Sequence, residues 1–305
     1  MTDPAPSWPQ ASPLGLGTED RNPATMDIDT LEAQTAIEAI LAEDLVGVQA
    51  AVGVAGALAE LVEAAEKRLR AGGRIHYFGA GASGRLAFID VTESRPTFGL
   101  EGVFAWHFPG GAPALLDSAI DEEDAEGSGA AEAAVLGPDD VAIGVTASGS
   151  TGYVRGALAA ARERGAFTAL ITNQAGAALS DGVDLAIEAA TGPEALTGST
   201  RLKAGTATKV LINAFSTALM IRTGRTWSNL MTHMLATNAK LDERAVRILV
   251  MATEAPEAEC REALAASEGD LPAALTVMLS GATPEAAREA LAAGGGVRAA
   301  VRRLG

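Results

Sequence analysis

Three segments of the chain combine glycine with serine and threonine at a density that suits the binding of a phosphate group. They are residues 79–85 (GAGASGR), 147–153 (ASGSTGY) and 192–206 (GPEALTGSTRLKAGT). Glycine lets a phosphate approach the backbone, and hydroxyls together with free N–H groups at a helix N-terminus donate to its oxygens. One such loop is weak evidence, because tight strand–helix turns use the same residues. Three at one edge of a sheet would indicate an anion site.

Short apolar segments around these loops predict strands, and the segments between them predict helices. Strands are expected at 74–79, 102–107, 140–146, 167–172 and 184–188, and helices at 151–164 and 200–222. This alternation is typical of an α/β fold with a parallel sheet covered on both faces. Ligands of such sheets bind at the carboxyl ends of the strands. Because the three loops follow the first, third and fifth strands, they should meet there.

The composition changes along the chain and predicts three regions. Residues 1–29 are rich in proline and predict an irregular N-terminal arm. Residues 30–240 form the sheet domain, which opens with Ala/Leu/Glu-rich helices over 30–70. Residues 241–305 are helical and are divided by glycine and proline into short pieces, which predicts a small C-terminal helical module.

The charge of the chain excludes several classes of function. Its 305 residues include 23 Lys and Arg against 39 Asp and Glu, a formal net charge of −16. This surplus argues against nucleic-acid binding and against docking on anionic membranes. The longest uncharged apolar stretch, residues 45–59, is shorter than the ~20 residues that span a bilayer, and the N-terminus lacks a secretory pattern. We therefore expect a soluble, cytoplasmic protein.

The cysteine and histidine content predicts no metal site. Cys260 is the only cysteine, so no internal disulfide can form, and the three histidines are His76, His107 and His233. No Cys/His cluster has the spacing of metal ligands. His107 and His233 are expected to be structural rather than catalytic.

The first loop also matches the dinucleotide pattern GxGxxG at residues 79–84. That interpretation needs an acidic residue at the end of the next strand to hold the ribose. The next strand ends in Trp-His-Phe-Pro and has Glu101 at its start instead. A phosphate cradle without a dinucleotide is therefore favoured, and no cofactor is expected.

Several further motifs occur in a fixed order with these loops. They are 18–23 (TEDRNP), 27–29 (DID), 79–86 (GAGASGRL), 93–99 (ESRPTFG), 123–124 (ED), 147–149 (ASG), 192–194 (GPE), 197–206 (TGSTRLKAGT), 229–231 (NLM) and 236–238 (ATN). In these motifs the chain resembles the N-acetylmuramic acid 6-phosphate etherases. That family belongs to the sugar isomerase (SIS) superfamily, which also contains the glucokinase regulatory proteins.

The resemblance implies a fold and a reaction. The fold is an SIS-type αβα sandwich with a five-stranded parallel sheet and a small, UBA-like helical module at the C-terminus. The reaction cleaves the D-lactyl ether of N-acetylmuramic acid 6-phosphate, with water and no cofactor, to N-acetylglucosamine 6-phosphate and D-lactate. One carboxylate must remove the C2 proton of the open-chain sugar, and a second carboxyl must protonate the departing oxygen.

The resemblance assigns the proton donor to Glu93 and the base to Glu123. Glu93 lies beside the apolar segment 96–98, so we expect it to be partly shielded from water. Glu123 lies in the acidic run 121–124, and such runs commonly occupy helix N-termini. From the residues alone, Glu122 is an equal candidate.

The expected phosphate contacts are Ser83, Ser148 and Thr151, followed by Thr200 and Lys203. Three of them have a structural alternative. The two serines could cap helices, and Lys203 could pair with a nearby acid.

The chain departs from the family pattern in three places. It has Ala82 where threonine is usual, TESRP at 92–96 where the family has SECPP, and SGSTGY at 148–153 where the family has SGRTPY. The last two changes remove one arginine and add Arg95, which would move a positive charge or alter substrate preference.

Two other functions and the assembly remain open at this point. A non-catalytic sugar-phosphate-binding regulator could share all three loops, and a sugar-phosphate isomerase would not release lactate. Because related folds often build their pocket between two subunits, we expect a homodimer. The apolar segment 210–221 could serve that interface or be buried in its own domain.

Overall fold

The computed structural model describes residues 17–117, 122–234 and 239–305. The motif at 236–238 and the first part of the N-terminal arm lie outside the described residues. The chain folds into two compact units. The first comprises the chain up to Asp90 together with Val103–Phe215, and the second comprises Val91–Gly102 and Ser216–Gly305.

The first unit contains a five-stranded parallel sheet. Its strands are β1 (Ile75–Gly79), β2 (Phe104–His107), β3 (Val141–Thr146), β4 (Phe167–Thr172) and β5 (Leu185–Glu188), in the order β2-β1-β3-β4-β5. All five predicted strands are confirmed, and each begins within two residues of its expected start. The largest difference is at β2, where Gly102 adopts a φ of 70° and delays the extended backbone.

The helices of the first unit precede and connect these strands. They are α1 (Ala33–Gly53), α2 (Ala55–Arg70), α4 (Gly111–Leu116), α5 (Glu126–Ala133) and α6 (Gly152–Glu163), while α3 (Gly81–Phe98) and α7 (Lys203–Arg222) contain residues of both units. The described part of the N-terminal arm forms three single 3₁₀ turns. Helices α5 and α6 pack at Gly129 and Gly156, where a side chain would overlap the facing backbone carbonyls.

The helix α7 has the length and hydropathy of a membrane span, as does the bent pair of α1 and α2. Half of the apolar stretch of α7 is buried inside the chain. Leu211, Ile212, Phe215 and Leu219 are all buried. This burial agrees with the second of the two interpretations of the segment 210–221, namely burial within the protein rather than a dimer interface.

The second unit is helical in its C-terminal part. Its helices are α8 (Ala239–Thr253), α9 (Glu257–Ala266), α10 (Leu271–Ser280), α11 (Pro284–Ala292) and α12 (Gly296–Leu304). Asp270 and Thr283 cap α10 and α11 by accepting from Ala273 N and Ala286 N, and a proline occupies the first turn of each helix. Leu249, Leu275 and Val297 are fully buried in the core of this unit.

A chain of four polar side chains connects β1 and β2 to α5 and α6. His76 Nδ1 lies 3.0 Å from His107 Nε2, and His107 Nδ1 lies 3.3 Å from Glu132 Oε2. The Tyr153 hydroxyl donates to the same Glu132 oxygen at 2.8 Å. Because a carboxylate only accepts, the His107 tautomer with its single proton on Nδ1 suits Glu132, and its Nε2 then accepts from His76 Nδ1. His76 is therefore a neutral donor within this chain.

This series of hydrogen-bonded side chains ends at His76, whose second ring nitrogen, Nε2, carries a buried lone pair. His76 Nε2 is buried and has no hydrogen-bond partner among the residues that the structure describes. Burial, together with the neighbouring His107, lowers the pKa of His76 to about 4. Burial also raises the pKa of Tyr153, which Glu132 reinforces, so the phenol remains a donor.

We predict that this histidine makes the fold sensitive to acid. Between pH 6.5 and pH 4 the unfolded chain binds a proton at His76 that the folded chain does not. The free energy of unfolding should therefore fall as the pH falls, by about 3 kcal/mol from this residue. Urea unfolding at several pH values between 7.5 and 4.5 measures the slope.

The variant His76→Leu isolates the contribution of His76 to the pH dependence of the free energy of unfolding. It should be less stable than the parent protein at pH 7.5, because His107 Nε2 loses its donor. Its loss of stability on acidification should nevertheless be shallower. A variant whose pH profile runs parallel to that of the parent would contradict the assignment.

Candidate active site

The first two glycine-rich loops lie side by side at the carboxyl edge of the sheet. They follow β1 and β3, which pair in parallel with Gly79 opposite Val145. The third loop follows β5 at the same edge, because all strands are parallel. The sequence-based expectation that the three loops share one edge is therefore confirmed.

The residue that joins the second and third loops, Asn173, was missed by sequence reasoning. Its N–H donates to the Ala147 carbonyl at 3.2 Å, and its own carbonyl accepts from Thr191 N at 3.2 Å. Its side-chain oxygen accepts from the Thr208 hydroxyl of α7 at 3.0 Å. It is 1% exposed, and its Nδ2 has no partner among the described residues. The only signal in the sequence was a polar residue directly after the fourth strand.

The first loop runs directly into α3. Gly81 begins this helix with a φ of 52°, and Ser83 lies half-buried in its first turn. Ser83 is therefore inside the helix rather than at a cap position. A side chain at Gly81 would overlap Glu123 Oε1, so the glycine makes room for that carboxylate.

The second loop holds a cluster of hydroxyl groups. The Thr151 hydroxyl lies 2.7 Å from that of Thr146, and the Ser148 hydroxyl lies 3.0 Å from that of Ser150. Thr151 precedes α6 but makes no capping bond, because its hydroxyl pairs with Thr146 instead. Ser148 is exposed and Thr151 is half-buried. Hydroxyls of this kind can turn to donate to an anion.

The acidic segment before α5 contacts both of these loops. The Glu123 carbonyl accepts from Tyr153 N at 2.9 Å, and its carboxylate lies over Gly81. Gly152 packs against the backbone of Asp124, where a side chain would lie 3.0 Å from the Asp124 carbonyl oxygen. Glu122 and Glu123 are both exposed. Of these two acids, Glu123 is the one whose carboxylate lies over Gly81, and its role as the base stays a prediction.

The third loop ends at a buried ionic cluster. Glu194 is fully buried and accepts from Lys203 N at 3.0 Å and from Ala204 N at 2.9 Å, which satisfies the first turn of α7. Burial raises the pKa of Glu194, and these backbone bonds oppose the shift. Thr200 is half-buried just before the helix.

The ammonium group of Lys203 pairs with a carboxylate of the same chain. The residue is 2% exposed, and its Nζ pairs with the carboxylate of Glu43 on α1. This pair is the structural alternative that the sequence left open for Lys203. Its contact with a phosphate stays a prediction.

The N-terminal arm supports the third loop from outside. Asn22 Nδ2 donates to the Pro193 carbonyl at 3.2 Å, and the Thr25 hydroxyl donates to the Ala195 carbonyl at 2.9 Å. Gly198 N donates to the Thr18 carbonyl at 3.2 Å. The arm, including its TEDRNP motif, thus fixes the backbone of the loop that opens α7.

Glu93 lies in the second unit, on the last turns of α3. It lines a cavity of about 400 Å³, together with Arg95, Pro96, Thr97, Met231, Met234, Leu241 and Arg244. The expectation that Glu93 is partly shielded is not met, because its side chain is exposed. Phe98 is buried, so the apolar residue that was expected to cover Glu93 packs into the core instead. Arg95 forms an ion pair with Glu101.

No group of three or more metal-ligating side chains occurs in the part of the chain that the structure describes. At the carboxyl edge of the first unit, the candidate site comprises hydroxyls, helix N-termini and the Glu123 carboxylate. Such groups can bind an anion and transfer protons.

Comparison with known proteins identifies the domain type of the chain. A model of the glucokinase regulatory protein N-terminal SIS domain matches residues 54–162, and a model of the SIS domain matches residues 123–218. The predicted α/β fold of SIS type, with helices at the C-terminus, is thereby confirmed. Among solved structures, phosphoheptose isomerase from Neisseria gonorrhoeae is 19% identical with a TM-score of 0.47, covering 62% of this chain and 98% of that one.

Curated relatives cover almost the whole chain. A protein from Thermobifida fusca is 50% identical over 86% of this chain and 87% of its own length. Proteins from Pectobacterium atrosepticum and Rubrobacter xylanophilus are 43% and 42% identical, covering 91% and 94% of this chain and 94% and 96% of their own. All three are named N-acetylmuramic acid 6-phosphate etherase. The chain belongs to the N-acetylmuramic acid 6-phosphate etherase family.

Proposed function

We propose that this chain is a carbon–oxygen lyase that cleaves the D-lactyl ether of N-acetylmuramic acid 6-phosphate. The products are N-acetylglucosamine 6-phosphate and D-lactate, which places the enzyme in the recycling of cell-wall amino sugars. The main support is the 50% identity over 86% of the chain to a relative of that name. The Glu123 carboxylate, which lies over the first loop, adds support from the chain's own geometry.

The reaction proceeds by elimination and then addition. In the open-chain sugar the C1 aldehyde acidifies the C2 proton, and Glu123 removes it as general base. The bond between C3 and the lactyl oxygen breaks, and Glu93 donates a proton to that oxygen as D-lactate leaves. Water then adds across the C2–C3 double bond, with its hydroxyl on C3 and a proton on C2. No cofactor is needed for any step.

The phosphate is bound at the carboxyl edge of the sheet. Ser83, Ser148 and Thr151 donate to its oxygens, with Thr200 as a further donor. The N-termini of α3 and α6 add free N–H groups and a positive dipole end. For Lys203, the ion pair with Glu43 supports a role in fixing the start of α7.

A second copy of the chain is the proposed partner, and the cytoplasm the proposed location. Ile37, Leu41, Leu45 and Val52 lie on one face of α1 and are 56%, 56%, 64% and 68% exposed. Exposed apolar stripes of this length are typical of protein–protein interfaces. A free, buried Cys260 thiol is compatible with a reducing compartment.

We predict that the purified protein releases D-lactate from N-acetylmuramic acid 6-phosphate. An enzymatic lactate assay measures it. Binding of the sugar phosphate without lactate release would favour the non-catalytic regulator. Conversion to a ketose phosphate without lactate release would favour the isomerase.

The two carboxylate roles can be separated by hydrogen exchange in D₂O. Glu93→Gln should abolish lactate release yet still exchange the C2 proton of the substrate, because the base is intact. Glu123→Gln should lose both activities, by about 10²-fold or more. Mass spectrometry of the recovered substrate reports the exchange. Glu122→Gln is the matched control and should retain both, whereas its inactivation would reverse the choice between the two neighbouring acids.

We predict that Leu41→Glu combined with Leu45→Glu separates the two copies, because charges would then occupy an apolar interface. Light scattering after gel filtration should change from dimer to monomer. Val135→Glu is the control, since Val135 is 72% exposed and lies outside α1. A double variant with unchanged mass would place the interface elsewhere.

A further inference from the structure

The cavity beside Glu93 has a charged side and an apolar side. Glu93 and Arg95 line it from the end of α3, and Arg244 lines it from α8. Met231, Met234 and Leu241 supply the apolar side. Its volume of about 400 Å³ is within the range of small-molecule sites.

The two arginines of this cavity differ in their partners. Arg95 is ion-paired with Glu101, so its charge is already balanced. Arg244 is exposed and has no hydrogen bond or ion pair among the residues that the structure describes. A planar guanidinium with free N–H groups is the side chain best suited to hold a carboxylate through two parallel bonds.

We propose that this cavity receives the lactyl group of the substrate, that Arg244 binds the lactyl carboxylate, and that Met231, Met234 and Leu241 contact the lactyl methyl. The inference rests on the proposed function. It makes Arg244 a binding residue that selects substrates carrying an acid on the ether.

The chemistry of the lactyl group explains why these residues share one cavity with Glu93. The ether oxygen, the methyl and the carboxylate of a lactyl ether are all attached to one carbon atom. A residue that protonates the ether oxygen must therefore lie close to the groups that hold the carboxylate and the methyl. The lactyl carboxylate also brings a negative charge toward the Glu93 carboxyl, and Arg244 offsets that charge.

Arg244→Gln tests the assignment, with Arg247→Gln as the matched control. Arg247 is an exposed arginine of the same helix that does not line the cavity. Loss of one charged hydrogen-bonding partner should lower kcat/KM for N-acetylmuramic acid 6-phosphate by about 10- to 100-fold. The control should remain within about twofold of the parent protein, since surface substitutions away from such contacts have small effects.

Binding must be measured apart from turnover. Calorimetry in the Glu123→Gln background, with and without Arg244→Gln, compares the substrate with N-acetylglucosamine 6-phosphate, which lacks the lactyl group. The second change should weaken binding of the lactyl compound about 10-fold or more and leave binding of the other compound unchanged. Equal weakening of both compounds, or of neither, would overturn the inference. Absence of lactate release by the parent protein would instead overturn the proposed function, and the calorimetric comparison would still decide whether Arg244 binds the lactyl group.

The apolar side has its own test. An analogue with a glycolyl ether lacks only the methyl, and it should lose about fourfold in kcat/KM with the parent protein. Equal kcat/KM for the two ethers would show that the three apolar side chains do not contact the methyl.

Discussion

The hydrogen bond from Tyr153 N to the Glu123 carbonyl is the contact on which the geometry of the candidate site depends. It ties the acidic segment to the first turn of α6, and α6 begins where the second loop ends. Because β1 and β3 are neighbours, the same segment reaches the first loop, where Gly81 leaves room for the Glu123 carboxylate. Glu123, the proposed general base, is thereby held by its backbone beside both loops.

The side chain of Tyr153 is also fixed by a hydrogen bond. Its hydroxyl donates to Glu132, which also accepts from His107 at the end of β2. In this series of hydrogen-bonded side chains, the carboxylate of Glu132 selects the tautomer of His107. That tautomer in turn selects the ring nitrogen of His76 that donates. Loss of the His76 side chain would leave His107 Nε2 without its donor, while the contacts of Glu132 with His107 and Tyr153 would remain.

The strands and the three loops could be predicted from the sequence because each is specified by residues that lie close together along the chain. Apolar runs bounded by glycine specify strands, and parallel pairing then brings the loops to one edge. The partners of individual side chains were beyond such reasoning. Lys203 pairs with Glu43, which is 160 residues away in sequence, and Glu123 is distinguished from Glu122 by one contact with Gly81. Glu93 was expected beside a covering apolar segment, but the neighbouring Phe98 is buried in the core.

A chain with a net charge of −16 can still bind an anionic sugar phosphate, and the described residues indicate how. The most buried cation of the third loop, Lys203, is already neutralised by Glu43, and Arg95 is neutralised by Glu101. In the proposed phosphate site at the carboxyl edge, N–H groups and hydroxyls supply an attraction that does not depend on these two cations. Pairing Lys203 with α1 has a second consequence. The same helix presents Leu41 and Leu45 to solvent while its Glu43 and Gly47 contact Lys203, so a partner bound to the exposed face would also fix the start of α7.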